Sequence, residues 1–547
     1  MAGGLMQLIA YGAQDIYLTG NPQITFFKVV YRRYTNFSIE TIEQPFISET
    51  AFNKRASCKI TRNGDLVTKM YLRVIINSVN PEGSNFAWIR RLGHAIIRQV
   101  DIDLGGTKID RQYGTWIDIW YELTRISSHD VGYAKMIGDV PELTNYDNTI
   151  KPQYVLYVPL QFWFNRYVGL AVPLIALQYH DMNIGVDFET STVLAVRDCN
   201  FNMSKLSINT ASILVDYVYL DSEERKRFAQ VGHEYLIEQL QYNGTELVQS
   251  MPGLTTSATT ATIPYKLDFN HPTKELFWAM REGNYISGNT FIYYTNNDIW
   301  SVEAAALLIL QKSVSIGNNP INVVGGTWIP VNPTQIVTVG TFNVKNNSSV
   351  IVYINPTSLT IGSYGITDKI NADIIISSTQ QLTFQNVTTT LTVRDISIPL
   401  KYMDDTRFNT CDPIVYQFSN YGILIDGTNN PVSMGLLQLN GHDRFDQREG
   451  AWFNYVQPEM CHRNTPKDGI NVYSFSIYPE EHQPSGTANL SRIDTTTLTL
   501  TFTDSTYNNN LPPLYLFNPQ NNIWLFGINY NILRIMSGLS GLAYSVA

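Results

Sequence analysis

The chain has 547 residues and a formal net charge of −9, with charged residues at 16% and aromatics at 12%. An acidic balance speaks against nucleic-acid binding as the main task, which needs a basic footprint. The charged fraction lies well below the roughly 25% of an average soluble domain, which leaves a surface of Asn, Thr, Gln and Ser that a neighbour can readily cover. Length fits three or four domains of about 150 residues, or equally two large all-β units.

In chain order, the first strong signal is "GNPQITFFKVVYRRYTNF" (20–37), where Lys28, Arg32 and Arg33 sit among Phe26, Phe27, Tyr31 and Tyr34. Lys28 and Arg32 fall on one face of an extended segment and Arg33 on the other, so no basic stripe forms. The β-branched and aromatic content after the Asn21-Pro22 turn signal predicts a buried or half-buried strand. In "IIRQVDIDLGGTKID" (96–110), Val100, Ile102 and Leu104 share one face and Asp101 and Asp103 the other. Gly105-Gly106 then supplies the positive φ of a two-residue hairpin turn. In "HDMNIGVDF" (180–188), His180, Met182, Ile184, Val186 and Phe188 line one face, opposite Asp181, Asn183 and Asp187. Many such segments, punctuated by 35 Gly and 24 Pro, predict a sandwich or barrel.

"LDSEERKRFAQVG" (220–232) breaks the alternation. Asp221 or Ser222 can cap it, Glu223 and Glu224 occupy its first turn, Arg225, Lys226 and Arg227 follow, and Gly232 stops it. A short helix joining two β domains is predicted. Residues 285–395 then hold only nine charged residues and are rich in Thr, Asn, Ile and Val. They read as a β-rich excursion grafted onto the second domain, in a loop where insertions are tolerated. The closing run "IWLFGINYNILRIMSG" is broken by Asn529, Asn531 and Arg534, and no window reaches about 18 uninterrupted apolar residues. "MAGGLMQLIAYG" has no basic n-region and no apolar core of signal-peptide length, so the expectation is a soluble protein made in a cytosol.

Chemistry finds little footing. Cys58, Cys199, Cys411 and Cys461 are too sparse for a disulfide framework and suit a reducing compartment. No phosphate-cradling glycine loop, G-x-S-x-G elbow, H-E-x-x-H or CxxC pair occurs. Cys461-His462 is the single adjacent soft-ligand pair, whereas zinc usually takes two; a buried thiol beside a hydrogen-bonded histidine is expected. Glu480-Glu481-His482 invites an acid/base reading, but adjacent strand residues diverge and the proline-flanked context predicts a turn. His180 is expected to be a satisfied core or interface histidine, and Asp443 and Arg444 a structural ion pair. Asn36, Asn202, Asn243, Asn346, Asn347, Asn386 and Asn489 begin sequons of the kind an Asn-, Ser- and Thr-rich chain produces by chance. No catalytic, cofactor-binding or metal residue is assigned, and the chain is not expected to be an enzyme.

Several ordered blocks do carry a resemblance. "GAQDIYLTGNPQITFFKVVYRRYTNF" (12–37), "VDIDLGGTKIDRQYGTWIDIWYELT" (100–124), "VPLQFWFNRYVGLAVPLIALQYHDM" (158–182), "LDSEERKRFAQVGHEYLIEQLQY" (220–242) and "NHPTKELFWAMR" (270–281) resemble the major capsid proteins of large nucleocytoplasmic DNA viruses. So do "LQLNGHDRFDQREGAWFNYVQPEMCH" (437–462), "GINVYSFSIYPEEHQPSGTANLSRID" (469–494) and "FGINYNILRIMSGLSGLAYS" (526–545). The blocks follow the family's order and cover most of the chain outside 285–410.

The resemblance implies an all-β double jelly roll: two consecutive eight-stranded jelly rolls with a short connecting helix and long loop insertions. Its expected layout is an N-terminal arm (1–25), a first jelly roll (26–220), the helix (221–232) and a second jelly roll (233–547) including the β-rich insertion at about 285–410. It implies a structural capsid protein whose homotrimers form pseudo-hexagonal capsomers of an icosahedral shell. Expected partners are neighbouring capsomers, penton and minor capsid proteins and a nearby internal viral membrane, with no direct nucleic acid and no cofactor; the place is the virion, after assembly in the host cytoplasm. A lectin-like carbohydrate-binding jelly roll, a host-attachment protein and a β-sandwich glycosidase are the rival readings.

Overall fold

A computed structural model describes residues 33–84, 86–144, 148–197, 201–248, 260–281, 430–503 and 522–544, with Asn21, Ile292, Tyr294 and the backbone of strands between Ser315 and Ser397. The arm at 1–25, most of the strand expected at 20–37, Cys199, Cys411 and the side chains of the insertion lie outside the described residues.

The long strands of the first half are β1 (Phe37–Pro45), β2 (Arg55–Ile60), β3 (Leu66–Ile76), β4 (Ile97–Leu104), β5 (Thr107–Tyr113), β6 (Tyr154–Pro159), β7 (Met182–Phe188) and β8 (Ile208–Leu220). They pair antiparallel in two sheets, β1-β8-β3-β6 and β2-β7-β4-β5. The second half supplies β9 (His233–Leu247), β10 (Thr260–Lys266), β11 (Pro272–Arg281), β12 (Val432–Leu439), β13 (His442–Asp443), β14 (Ile470–Ser474), β15 (Thr496–Thr503) and β16 (Asn522–Met536). Their sheets are β9-β16-β11-β14 and β10-β15-β12-β13. Every strand of the second set occupies the place of the strand eight before it. The chain is therefore two consecutive jelly rolls, as the resemblance implies. A short β17 (Leu539–Leu542) doubles back on β16.

Alternation explains the first core. Met70, Leu72 and Val74 from β3 face Val100, Ile102 and Leu104 from β4, with Ile184, Val186, Ile213 and Val215 beside them, and none is more than 1% exposed. Each such side chain contributes about 1.5–3 kcal/mol on leaving water. Gly105 and Gly106 take φ of +60° and +84°, so the expected hairpin turn is present between β4 and β5. Met182, Ile184, Val186 and Phe188 face inward as the alternation predicts, but His180 departs from them. It precedes β7, lies half-buried and sits beside the β4–β5 turn rather than in the core.

Three helices connect the two halves: α1 (Gly114–Thr124), α2 (Trp163–Arg166) and α3 (Ser222–Gln230). The last is the expected connector. Its Arg225 reaches back to Asp65 at 2.8 Å, and Phe228 packs on Leu66, Ala171 and Val218, tying it to the first jelly roll. Asp221 stands at its N-cap in an extended conformation without a side-chain capping bond. Between β11 and β12, the described backbone strands Asn319–Gly325, Val337–Val344 and Ser348–Ile354 pair with one another. Among the described residues they join no sheet of either jelly roll.

Candidate functional site at the joint between the jelly rolls

The joint is built around α1, which leaves β5 with no intervening loop. Gly114 makes that exit possible: a Cβ there would lie 2.2 Å from the carbonyl oxygens of His94 and Ile97. From this start, Trp116, Ile119, Trp120 and Leu123 recur at helical spacing and form one stripe. Ile117 turns the other way, into the first core. The stripe lies on the outer face of the second jelly roll, against Phe277 and Ala279 of β11, Ile470 and Val472 of β14, and Trp524, Phe526 and Ile528 of β16. Trp116 meets Phe277 edge-on, with ring centroids 4.9 Å apart and planes at 75°. Such contacts are worth about 0.5–1.5 kcal/mol beyond the area they bury.

Beside the stripe, Asp118 and Glu122 are one helical turn apart and both fully buried. Arg91, held at a left-handed φ of 53°, places its guanidinium 2.7 Å from Asp118 and also pairs with Glu122. His94 Nδ1 lies 2.9 Å from the same Asp118 oxygen, and the Tyr294 hydroxyl donates to the other at 3.0 Å. The second jelly roll adds Lys467, 3.1 Å from Glu122. Burial alone would raise the Asp118 carboxyl, but Arg91 and His94 hold it below the usual carboxylate range. Glu122 is likewise lowered by Arg91 and Lys467 against its burial. Burial, with the neighbouring Arg91 charge, pushes the Lys467 ammonium down to about 7, against the pull of Glu122 and Asp118. Asn464 closes the end of α1, its backbone N–H donating to Leu123 at 3.1 Å and its amide to the Glu122 carbonyl at 2.7 Å.

A second charged group crosses the joint from α2. Arg166 lies 3.1 Å from Glu238 on β9, which also holds Lys274 at 2.6 Å. The same guanidinium stacks 4.9 Å over Trp120, whose ring stands edge-on to His462. His462 Nε2 is 3.0 Å from Glu275 and Nδ1 is 3.2 Å from Glu480. Burial would lower this imidazole; Glu275 and Glu480 outweigh it and lift it to about 9, so His462 is a cation at neutral pH. Further along, Asp110 of β5 accepts from the Leu240 N–H of β9 at 3.0 Å, beside a cleft of about 460 Å³ lined by Lys108, Arg111, Tyr242 and Asn270. Burial pushes the Asp110 carboxyl up to about 7.

The residues singled out in the sequence find structural uses here. His462 is an ion-paired strut, and Cys461 beside it is half-buried, its thiol raised by burial and by Glu275. Glu480 sits in the expected turn and binds His462 and Arg463, while His482 stacks on Tyr167 of the first jelly roll at 4.6 Å. His180 accepts at Nδ1 from the Ser540 N–H at 3.0 Å, so it is an interface histidine. Asp443 accepts from the Gln438 amide at 2.8 Å and forms no ion pair with Arg444. Among the described residues, no three His, Cys, Asp or Glu side chains are placed to share a metal, and no helix is long and apolar enough to cross a membrane. Sequence reasoning missed the α1 stripe, although "WIDIWYEL" displays it: apolar side chains at 116, 119, 120 and 123, with carboxylates at 118 and 122.

Two consecutive jelly rolls of equivalent topology place the chain in the double jelly-roll class, and here an apolar helix seam and buried ion pairs join them. Residues 25–221 match the family described as "Major capsid protein N-terminus", and residues 224–541 match "Large eukaryotic DNA virus major capsid protein". Capsid protein 1 of Acanthamoeba polyphaga mimivirus is 41% identical and the major capsid protein of Phaeocystis pouchetii virus 37% identical, each aligned over the whole of both chains. A quasi-atomic model of the PBCV-1 virus capsid is similar with a TM-score of 0.61 and 29% identity, covering 95% of this chain and 100% of that one. The Faustovirus major capsid protein shares the fold, with a TM-score of 0.57 at 12% identity, over 97% of this chain and 96% of that one. The chain belongs to the family of major capsid proteins of large eukaryotic DNA viruses. As a member it is a structural component of the virion.

Proposed function

We propose that the protein is the repeating brick of the icosahedral shell, and that it works as a homotrimer. The observation that carries this is the strand-for-strand duplication joined by a buried apolar seam. Three such chains present six similar sandwiches around a threefold axis, a pseudo-hexagonal block that tiles a surface. Obligate contacts within a block bury about 2,000–5,000 Å², while smaller contacts between blocks become durable through multivalency. The layout of arm (1–25), first jelly roll (26–220), helix (221–232) and second jelly roll (233–547) with its insertion fits this scheme. Penton and minor capsid proteins at the shell's special positions, an internal membrane beneath and assembly in the host cytoplasm complete it. The described site is consistent with a purely structural role, because its buried carboxylates are engaged by ion pairs and hydrogen bonds, of which Glu122–Lys467 and Arg166–Glu238 cross the joint.

Light scattering of the purified protein is expected to give a mass of three chains, and electron microscopy of concentrated samples hexagonal tiles. A monomer at every concentration and ionic strength would overturn the proposal.

A further inference from the structure

The cleft between β5 and β9 has no part in the seam or its ion pairs. Its volume of about 460 Å³ is that of a small-ligand site, and both jelly rolls supply its walls. Those walls are fixed in place. The Gln241 amide binds the Asn270 backbone in both directions, donating to its carbonyl at 2.5 Å and accepting from its N–H at 2.8 Å. Asn243 Oδ1 accepts from the Asp268 N–H at 2.9 Å. The segment that carries Phe269 into the cleft is therefore pinned to β9 on either side, and a ligand need not order it.

The cleft holds cations that lack a carboxylate of their own. Arg55 Nη2 takes both oxygens of Asp101, at 2.7 and 3.0 Å. Lys108 and Arg111, which line the cleft, share the same carboxylate only at 3.4 and 4.0 Å. Among the described residues, neither has another carboxylate within ion-pair distance, and the buried Arg111 Nε makes no hydrogen bond. The acidic residues of the cleft cancel little of this charge. Asp268 is paired with Lys266 at 2.8 Å, and Asp110, pushed up to about 7 by burial, carries only part of a charge at neutral pH.

The fully buried Asn529 also lines the cleft. Its amide nitrogen donates to the Tyr530 carbonyl at 3.2 Å, but its Oδ1 has no hydrogen-bond partner among the described residues. A buried acceptor left without a donor is costly, so the site favours an occupant that brings one. The occupant must therefore offer negative charge to Lys108 and Arg111, a hydroxyl to Asn529, and C–H surface to the wall formed by Tyr242 and Phe269. A chloride or sulfate ion meets the first need alone, and an apolar ligand the last alone. A sugar that carries a carboxylate meets all three.

We propose that this cleft binds a uronic acid unit, its carboxylate held by Lys108 and Arg111 and a ring hydroxyl donated to Asn529. The shell role neither requires this site nor is altered by it.

The test is titration calorimetry of the full-length protein at neutral pH with galacturonate, galactose and inorganic phosphate. Galacturonate is expected to bind saturably, and galactose, which lacks the carboxylate, about tenfold or more weakly. Phosphate as tight as galacturonate would reduce the cleft to a patch for any anion and overturn the assignment. Arg111→Gln is expected to weaken galacturonate about tenfold with an unchanged circular dichroism spectrum. If that variant loses its fold, Lys108→Gln, at a more exposed position, serves in its place. Unchanged affinity in the folded variant, or no saturable binding by the wild type, would overturn the proposal and leave the trimeric reading standing. A galacturonate tetramer separates the two sources of such a unit: tighter binding than the monomer assigns the cleft to an acidic polysaccharide, equal binding to the free sugar.

Discussion

The apolar stripe of α1 and the carboxylates beside it lie within one turn of each other, yet they hold the joint by opposed physics. The Trp116–Trp120 seam gains from leaving water and is indifferent to geometry within a fraction of an ångström. The group around Asp118, Glu122, Arg91 and Lys467 gives up hydration and regains it only when every partner is in place. The seam supplies adhesion. The charged flank supplies orientation, because a sliding helix would strand buried carboxylates. In the proposed shell brick, whose two halves would keep a fixed angle, both have a use.

Breaking the flank should cost most. Arg91→Ala leaves two fully buried carboxylates short of their shared cation and is expected to cost about 4–5 kcal/mol, read from urea unfolding. Trp116→Ala opens a cavity in the seam and is expected to cost about 3–4 kcal/mol. If the Trp116 variant proved the more damaging by a wide margin, the flank would be reduced to a passenger.

Acidity separates the two more sharply. Asp118 is held below its ordinary value near 3.8, so the stability it contributes is present above that pH and is lost as pH falls further. His462 is raised from 6.5 to about 9, so its contribution is complete below 6.5 and disappears as pH climbs through 9. Lys467 runs the other way, because its depressed folded value means stability is recovered as pH rises from about 7. In the wild type these last two offset one another between pH 7 and 9. Lys467→Gln should therefore unmask a falling stability across that window, and His462→Gln a rising one, each followed by melting temperature against pH. Flat profiles in both would remove the charged network from the energetics. The smallest expected effect is at the end of α1, where Asn464→Ala removes the side-chain bond to the Glu122 carbonyl for about 0.5–1.5 kcal/mol.

Local physics made part of this molecule readable. The Gly105-Gly106 turn, the inward residues of β7 and the helix at Ser222–Gln230 depend on neighbours in sequence, and each stands where the pattern places it. The joint was legible only as a possibility. The spacing of Trp116, Ile119, Trp120 and Leu123 marks an apolar helix face, but Phe277, Val472 and Phe526, which cover it, lie far along the chain. Glu480 and His482 resembled chemistry because a sequence shows carboxylates and imidazoles without their partners. In the structure Glu480 is engaged by His462 and Arg463, and His482 stacks on Tyr167. His180 was misplaced by extending the β7 alternation two residues too far, past the point where the chain turns toward Ser540.

The return of β16 and β17 to the first jelly roll has a consequence for timing. Leu533 and Ile535 belong to the first core, and Ser540 binds His180 from 360 residues further along. At about 5–20 residues per second of synthesis, roughly 20–70 s separate the translation of these two partners. Until then the earlier half waits on the ribosome with its seam open and its greasiest flank unguarded. A crowd of nascent chains on one messenger is thus a hazard for premature pairing, and slower elongation should lower the yield of correctly built particles before it lowers the amount of polypeptide made.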